Sequence, residues 1–256
     1  MIKKLLVFCL PVLAISVFSA EIFATRGKPA KNFTDSIKCR QVLVVVTDGW
    51  SSVQGELHYF TKHKRTWKEE FSNEVVVGKT GLGIGDGLVD LSIKGAPIKK
   101  EGDLRSPAGI FKIGTAFGYA DPSEAEWIKN AYVKASDALL CVDDVHSVYY
   151  NRLVKSDTGN ADWKSFEYMH RKDNYYKWGL FVEHNSGNIV PGDGSCIFLH
   201  IWENRNEGTI GCTAMQEKDI LNLLRSIDST QHPILVQLPK NEYLKIRGRY
   251  GLPAIN

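Results

Sequence analysis

Two segments of this chain carry residue types suited to covalent chemistry. A histidine, His200, lies within the apolar run Phe198-Leu199-His200-Ile201-Trp202, and a cysteine, Cys212, follows a glycine in Thr209-Ile210-Gly211-Cys212-Thr213-Ala214-Met215. A cysteine attacks a carbonyl as its thiolate, so it needs a base to take the proton and donors to hold the oxyanion that forms. His200 supplies a base, and the N–H groups of Gly211 and Cys212 at a glycine turn supply an expected oxyanion hole, with Thr209 bracing that turn.

The elements that must position these groups follow from the pattern around them. Ser195 to His200 reads as a strand leaving the turn Pro191-Gly192-Asp193-Gly194. Alternation places Cys196, Phe198 and His200 on one face and Ile197, Leu199 and Ile201 on the other. The polar stretch Glu203 to Gly208 is long enough to turn the chain back, so that Cys212 returns beside His200.

Other segments extend the pattern. Gly102-Asp103-Leu104-Arg105-Ser106-Pro107-Ala108-Gly109-Ile110-Phe111-Lys112-Ile113 resembles the Gly-Asp-x-x-[Ser/Thr]-Pro-x-Gly-x-Phe segment of the L,D-transpeptidase (YkuD-like, ErfK/YbiS/YcfS/YnhG) catalytic domains. His200 with Thr209-Ile210-Gly211-Cys212 resembles the family's histidine and [Ser/Thr]-x-Gly-Cys signature. Cys141-Val142-Asp143-Asp144, Tyr150-Asn151-Arg152, Tyr176-x-Trp178-Gly179-Leu180 and Cys196 to Trp202 are similar to one branch of it. The resemblance runs from about Val42 to Leu238. It implies a mainly β sandwich or barrel-like catalytic domain with a few helices. It also implies a cysteine acyltransferase for peptidoglycan stem peptides, with carbapenem-type lactams as inhibitors and with no cofactor or metal. The alternatives are a cysteine carboxypeptidase or endopeptidase of wall peptides and a non-catalytic wall-binding domain. Two positions depart from the family pattern: Ile201 stands where a glycine usually follows the histidine, and Ala214 where an arginine usually follows the cysteine by two.

Composition bounds the remainder. Lys3 and Lys4 precede an apolar run from Leu5 to Phe18 and then small residues, the layout of a secretory signal peptide, with cleavage expected after Ala24. The expected organisation is a signal peptide at 1–24, a linker at 25–40, the catalytic domain at 41–240 and a C-terminal tail at 241–256. The product would be periplasmic or secreted, with no stable membrane insertion after cleavage. A formal net charge of +3 over 256 residues gives no reason to expect nucleic acid as a partner. Beyond Cys9 and the expected nucleophile Cys212, Cys39, Cys141 and Cys196 allow one disulfide. The matching segments favour Cys141 with Cys196, while Cys39 with either, or three free thiols, stays open. No pair has Cys-x-x-Cys spacing.

Strands are expected at Val42–Val46, Glu56–Phe60, Glu74–Val77, Ile110–Ile113 and Pro233–Leu238. Helices are expected at Glu124–Tyr132 behind Ser123, from Asp162 to about Arg171, and at Glu217–Ile227, where Ile220, Leu223 and Leu224 fall at helical spacing. The glycine-rich stretch 78–87 lacks the first glycine of a phosphate loop, Asn73 standing there, and reads as a loop between strands. Asp143 and Asp144 read as turn-capping carboxylates. His184, at the end of a strand candidate and before Asn185, is expected as a cleft-facing, substrate-binding histidine beside His200, with a structural or surface histidine as the alternative. Trp202, two residues past His200 on the same face, is the first aromatic expected to line a peptide groove, with Trp178 and Tyr176 behind it.

Overall fold

The computed structural model of the chain describes residues 33–255; the expected signal peptide and the first half of the expected linker lie outside the described residues, and the linker's second half contains α1 (Phe33–Ser36). The fold is mainly β. Its strands in chain order are β1 (Gln41–Thr47), β2 (Gln54–His63), β3 (Thr66–Val76), β4 (Leu82–Ile84), β5 (Ser106–Gly118), β6 (Tyr132–Lys134), β7 (Leu139–Val142), β8 (Arg152–Lys155), β9 (Phe166–Tyr168), β10 (Trp178–Val182), β11 (Phe198–Ile201), β12 (Thr213–Met215) and β13 (Ile234–Pro239). The helices are α1 (Phe33–Ser36), α2 (Glu217–Ser226) and α3 (Lys240–Tyr250).

Eight strands run in the order β10-β11-β12-β3-β2-β1-β13-β5, and β5 pairs back to β10, so the sheet closes into a barrel. Closure depends on the length of β5. Its first half lies beside β4 and β13, through Ser106–Ala108 and Gly109–Lys112, and its second half beside β10 and β6, through Ile113–Gly118. The sequence signal covered only Ile110–Ile113 because Gly109, Gly114 and Gly118 interrupt the β-forming run.

The main core gathers on β1, whose seven residues are all buried, as expected of a β-branched run covered on both faces. α2 buries Ile220, Leu223 and Leu224 and packs on β10 and β11, while α3 packs on β13 and β1. A second apolar cluster, containing Phe117, Met169, Tyr176, Cys196, Phe198 and Cys212, lies beneath a separate three-stranded sheet, β8-β7-β9. The Cys141–Cys196 disulfide ties that sheet to the chain entering β11. Cys39 and Cys212 are free thiols, both buried.

Two expected helices are absent. At Glu124–Tyr132 only the single turn Pro122–Glu124 forms, with Asp121 and Glu124 making the capping box, and Tyr132 then pairs with Ala116 as a strand. At 162–171 the chain forms β9, pairing Leu140 with Tyr168. Asp162, read as a helix cap, instead accepts from Ser147 Oγ at 2.5 Å and from the Val148 N–H at 3.0 Å. Phe166 and Tyr168 suit a pleated surface, and pairing with β7 overrides the local cap. The expected C-terminal tail is largely α3. Its Tyr243 and Tyr250 are buried, and Phe33 of α1 packs edge-on against Tyr250 with ring centres 5.7 Å apart. β3 begins eight residues before its expected start because that half of the hairpin is mostly exposed and polar.

Candidate active site

β12 holds only three residues and meets β3 at one position, Ala214 opposite Val76. The barrel wall is therefore thin there, and a cleft of about 190 Å³ opens beside it. Cys212, Ala214 and His200 line it, together with Tyr175, Tyr176, Trp202 and Thr209. β11 and β12 run parallel with Leu199 opposite Thr213 and His200 opposite Ala214, so Cys212 falls on the His200 face of the sheet, beside Phe198.

The turn bearing Cys212 is fixed by side chains from both directions. Thr209 Oγ1 accepts from the Gly211 N–H at 3.1 Å and donates to the Cys212 carbonyl at 2.5 Å. Ser106 Oγ donates to the same carbonyl at 2.6 Å and accepts from the Gly78 N–H at 2.8 Å. Gly211 has φ of 156°, which side-chain-bearing residues rarely adopt. Gly78 is required for contact: a Cβ there would lie 2.2 Å from the Leu104 carbonyl oxygen. The glycine stretch 78–87, read as a plain loop, is thus a packed brace behind the turn. The expectation that Gly211 and Cys212 both offer free N–H groups needs correction, since the Gly211 N–H is spent on Thr209.

His200 is buried, and its Nδ1 donates to the Ile201 carbonyl at 2.8 Å. That bond puts the ring proton on Nδ1 and leaves Nε2 as the lone pair, with no hydrogen-bond partner among the described residues. Burial lowers His200 from its ordinary value to about 4, against the Ile201 carbonyl, which favours the charged form. Burial also pushes the Cys212 thiol well up, and the Glu167 charge adds to it. In this state Cys212 Sγ accepts from the Phe198 N–H at 3.3 Å and lies 3.6 Å from the Cys196 carbonyl as a donor. The pair rests as neutral thiol and neutral imidazole.

Trp202 lines the cleft, but Trp178 and His184 do not. Trp178 packs against Trp127, ring centres 5.6 Å apart, at the edge of the main core. His184 is fully buried, with Nδ1 3.1 Å from the Asp86 carbonyl and Nε2 2.9 Å from the Asp193 carbonyl, and it packs edge-on against Phe111. A strand-end position next to polar residues suggested a cleft; the ring turns inward and staples two loops. Asp144 caps as expected, accepting from the backbone N–H groups of His146 and Lys164.

Three residues in or behind the cleft had no assigned role in the sequence reading. Ser106 was visible within the Gly-Asp to Ser-Pro segment. Tyr175 and Arg171 come from an insertion whose aromatic and charged content was its only signal. The Arg171 guanidinium lies over the Tyr175 and Tyr176 rings, 5.6 and 5.1 Å from their centres, and bonds Asp173 through Nε at 2.9 and 3.1 Å. Among the described residues no group of three or more His, Cys, Asp or Glu side chains is arranged to hold a metal ion.

The model of the YkuD family, the L,D-transpeptidase catalytic domain, matches residues 52–236. The chain belongs to the L,D-transpeptidase family. The match covers every barrel strand except β1 and the end of β13, and includes both Cys212 and His200. No curated protein matches the chain. The solved structure of Bd1075 from Bdellovibrio bacteriovorus is 14% identical with a TM-score of 0.39, and the alignment covers 82% of this chain and 53% of that one. This L,D-transpeptidase-family chain thus spans about half the length of that protein, and a likeness so slight has no bearing on activity.

Proposed function

We propose that this chain is exported and acts on peptidoglycan stem peptides as an L,D-transpeptidase, through a thioester on Cys212. The observation that carries the reading is the shared cleft: a thiol on a braced turn beside an imidazole whose Nδ1 is committed and whose Nε2 is open.

His200 Nε2 takes the thiol proton as Sγ bonds to the peptide carbonyl carbon next to the terminal D-amino acid. The Cys212 N–H, with Gly211 held away by Thr209, is the turn's donor to the oxyanion. Collapse breaks the C–N bond, and the His200 proton passes to the leaving amine. An acceptor amine then attacks the thioester, gives its proton to His200 and restores the thiol as the new amide forms. Because the resting pair is neutral, this proton transfer accompanies substrate binding rather than preceding it. Trp202, which lines the cleft, packs on the donor peptide in this reading.

Incubation with a disaccharide-tetrapeptide ending in a D-amino acid, with and without a second D-amino acid, tests the reading by mass spectrometry. A crosslinked dimer or an exchanged terminal residue is expected. Loss of the terminal residue to water alone would make the chain a carboxypeptidase, and an uncut peptide would remove the wall-peptide assignment.

A further inference from the structure

The mechanism uses no residue of the β8-β7-β9 sheet, yet one of its side chains reaches the site. Glu167 sits at the middle of β9, opposite Cys141, the residue whose disulfide partner Cys196 offers its carbonyl to the Cys212 thiol. Tyr176 Oη donates to Glu167 Oε2 at 2.5 Å. The Tyr176 ring lies edge-on to His200, centres 5.2 Å apart and planes at 73°, and edge-on to Phe198 at 5.3 Å. It also lines the cleft with Cys212. His200 is flanked on another side by Tyr175, stacked at 6.4 Å, so the two tyrosines and the Ile201 carbonyl fix its plane.

We infer that Glu167 is a positioning residue for the Cys212–His200 pair: its hydrogen bond holds the Tyr176 ring that sets the imidazole, and its negative charge, when present, keeps the proton on sulfur. The inference rests on the reading of Cys212 and His200 above and adds the inserted sheet to the site.

The electrostatics agree with the geometry. Loss of water around its carboxyl pushes Glu167 up to about 7, so it changes charge in the neutral range. The groups facing it are Tyr176, which donates to the charged form, Asp143 and Glu101, whose charges oppose it, and Arg171, which favours it. After burial, Glu167 is the foremost influence opposing ionisation of Cys212. Asp143, one of the charges opposing Glu167, keeps a buried Oδ1 with no hydrogen-bond partner among the described residues. The sign follows: Glu167 is neutral below the neutral range and leaves the thiol easier to ionise, and above it the carboxylate makes the thiolate harder to form.

Iodoacetamide alkylation of Cys212 in the full chain, followed by mass of the Cys212 peptide from about pH 5.5 to 9.5, reads this without any substrate. The wild-type logarithmic rate should climb about one decade per pH unit, flatten by about one decade near neutrality, and climb again. Glu167→Gln keeps an acceptor for Tyr176 and should give an unbroken line, equal to wild type at pH 5.5 and about tenfold faster at pH 8.5. Tyr176→Phe removes the donor to the carboxylate and should move the flat stretch to higher pH. An unbroken wild-type line, a folded Glu167→Gln protein that retains the flat stretch, or a Tyr176→Phe profile unchanged from wild type would each overturn the inference. The wild-type profile decides alone should the variants not fold. A flattened profile in a protein that forms no thioester with an acyl donor would contradict the proposed function and leave this inference standing.

Discussion

His184 and His200 have similar sequence settings and opposite surroundings. Each lies in or just after an apolar strand, each is buried, and burial lowers both below the ordinary histidine value. His184 meets a backbone carbonyl at each ring nitrogen and holds two loops together. His200 meets one carbonyl among the described residues and lines a cleft that also contains a thiol. A buried histidine becomes available for proton transfer by leaving one nitrogen unspent, and burial depth does not separate the two cases. Cys196 joins the two neighbourhoods. Its N–H donates to Asn151, which also holds the His184 carbonyl, and its own carbonyl accepts from Cys212.

The largest test of this contrast is substitution of each ring. His200→Gln should lower the rate of acyl-enzyme formation about 10²- to 10⁴-fold, the range for a positioned acid–base group. His184→Gln should leave that rate per folded molecule within a few-fold while costing about 1–3 kcal/mol of stability through a disturbed buried carbonyl. Stopped-flow acylation and denaturant unfolding measure the two, and a reversal of the pattern would exchange their roles.

Removing the joint comes next. Cys141→Ala with Cys196→Ala should cost about 2–4 kcal/mol in denaturant unfolding. It should also slow Cys212 acylation, because the Cys196 carbonyl loses its anchor. Stability loss with acylation unchanged would separate the disulfide from the site.

The acid side of the stability curve gives a third test. The folded state holds His200 neutral down to about 4, whereas an unfolded histidine takes its proton near its ordinary value. Between about pH 6.5 and 4 the unfolded chain binds more protons, so stability falls as pH falls through that window. His200→Gln should remove about 2 kcal/mol of that loss between pH 7 and pH 5. Thermal melts of both proteins at the two pH values check it, and parallel pH dependences would show that His200 does not stay neutral in the fold.

The smallest expected effects distinguish the two tryptophans. Trp202→Ala should raise KM several-fold with melting little changed, and Trp178→Ala should lower the melting temperature with KM unchanged, since Trp178 packs on Trp127 away from the cleft.

The residues proposed to react were visible as candidates because covalent chemistry constrains residue type and spacing: Cys212, His200, Thr209 and Gly211 lie on twelve consecutive steps of chain around one turn. The face assignment of Cys196, Phe198 and His200 followed from alternation alone, and Ile197, Leu199 and Ile201 do enter the main core. What escaped depends on distant chain. Asp162 carries a helix-cap signature but bonds a turn fifteen residues earlier. β5 closes the barrel through glycines that local propensity penalises. α3 is held by its two buried tyrosines and ended by Gly251 at φ 68°, with little patterning along its own surface to announce it. Glu167 and Arg171 reach the site only because β9 pairs with β7, a long-range event that no local window contains.

The central claim is that Cys212 is an acylating nucleophile, and intact mass of the purified chain after exposure to a carbapenem, beside Cys212→Ala, tests it most directly. One adduct per molecule, lost in the variant, is the expected result. A folded, reduced wild-type protein that gains no mass, or a Cys212→Ala variant that gains the same mass, would contradict it.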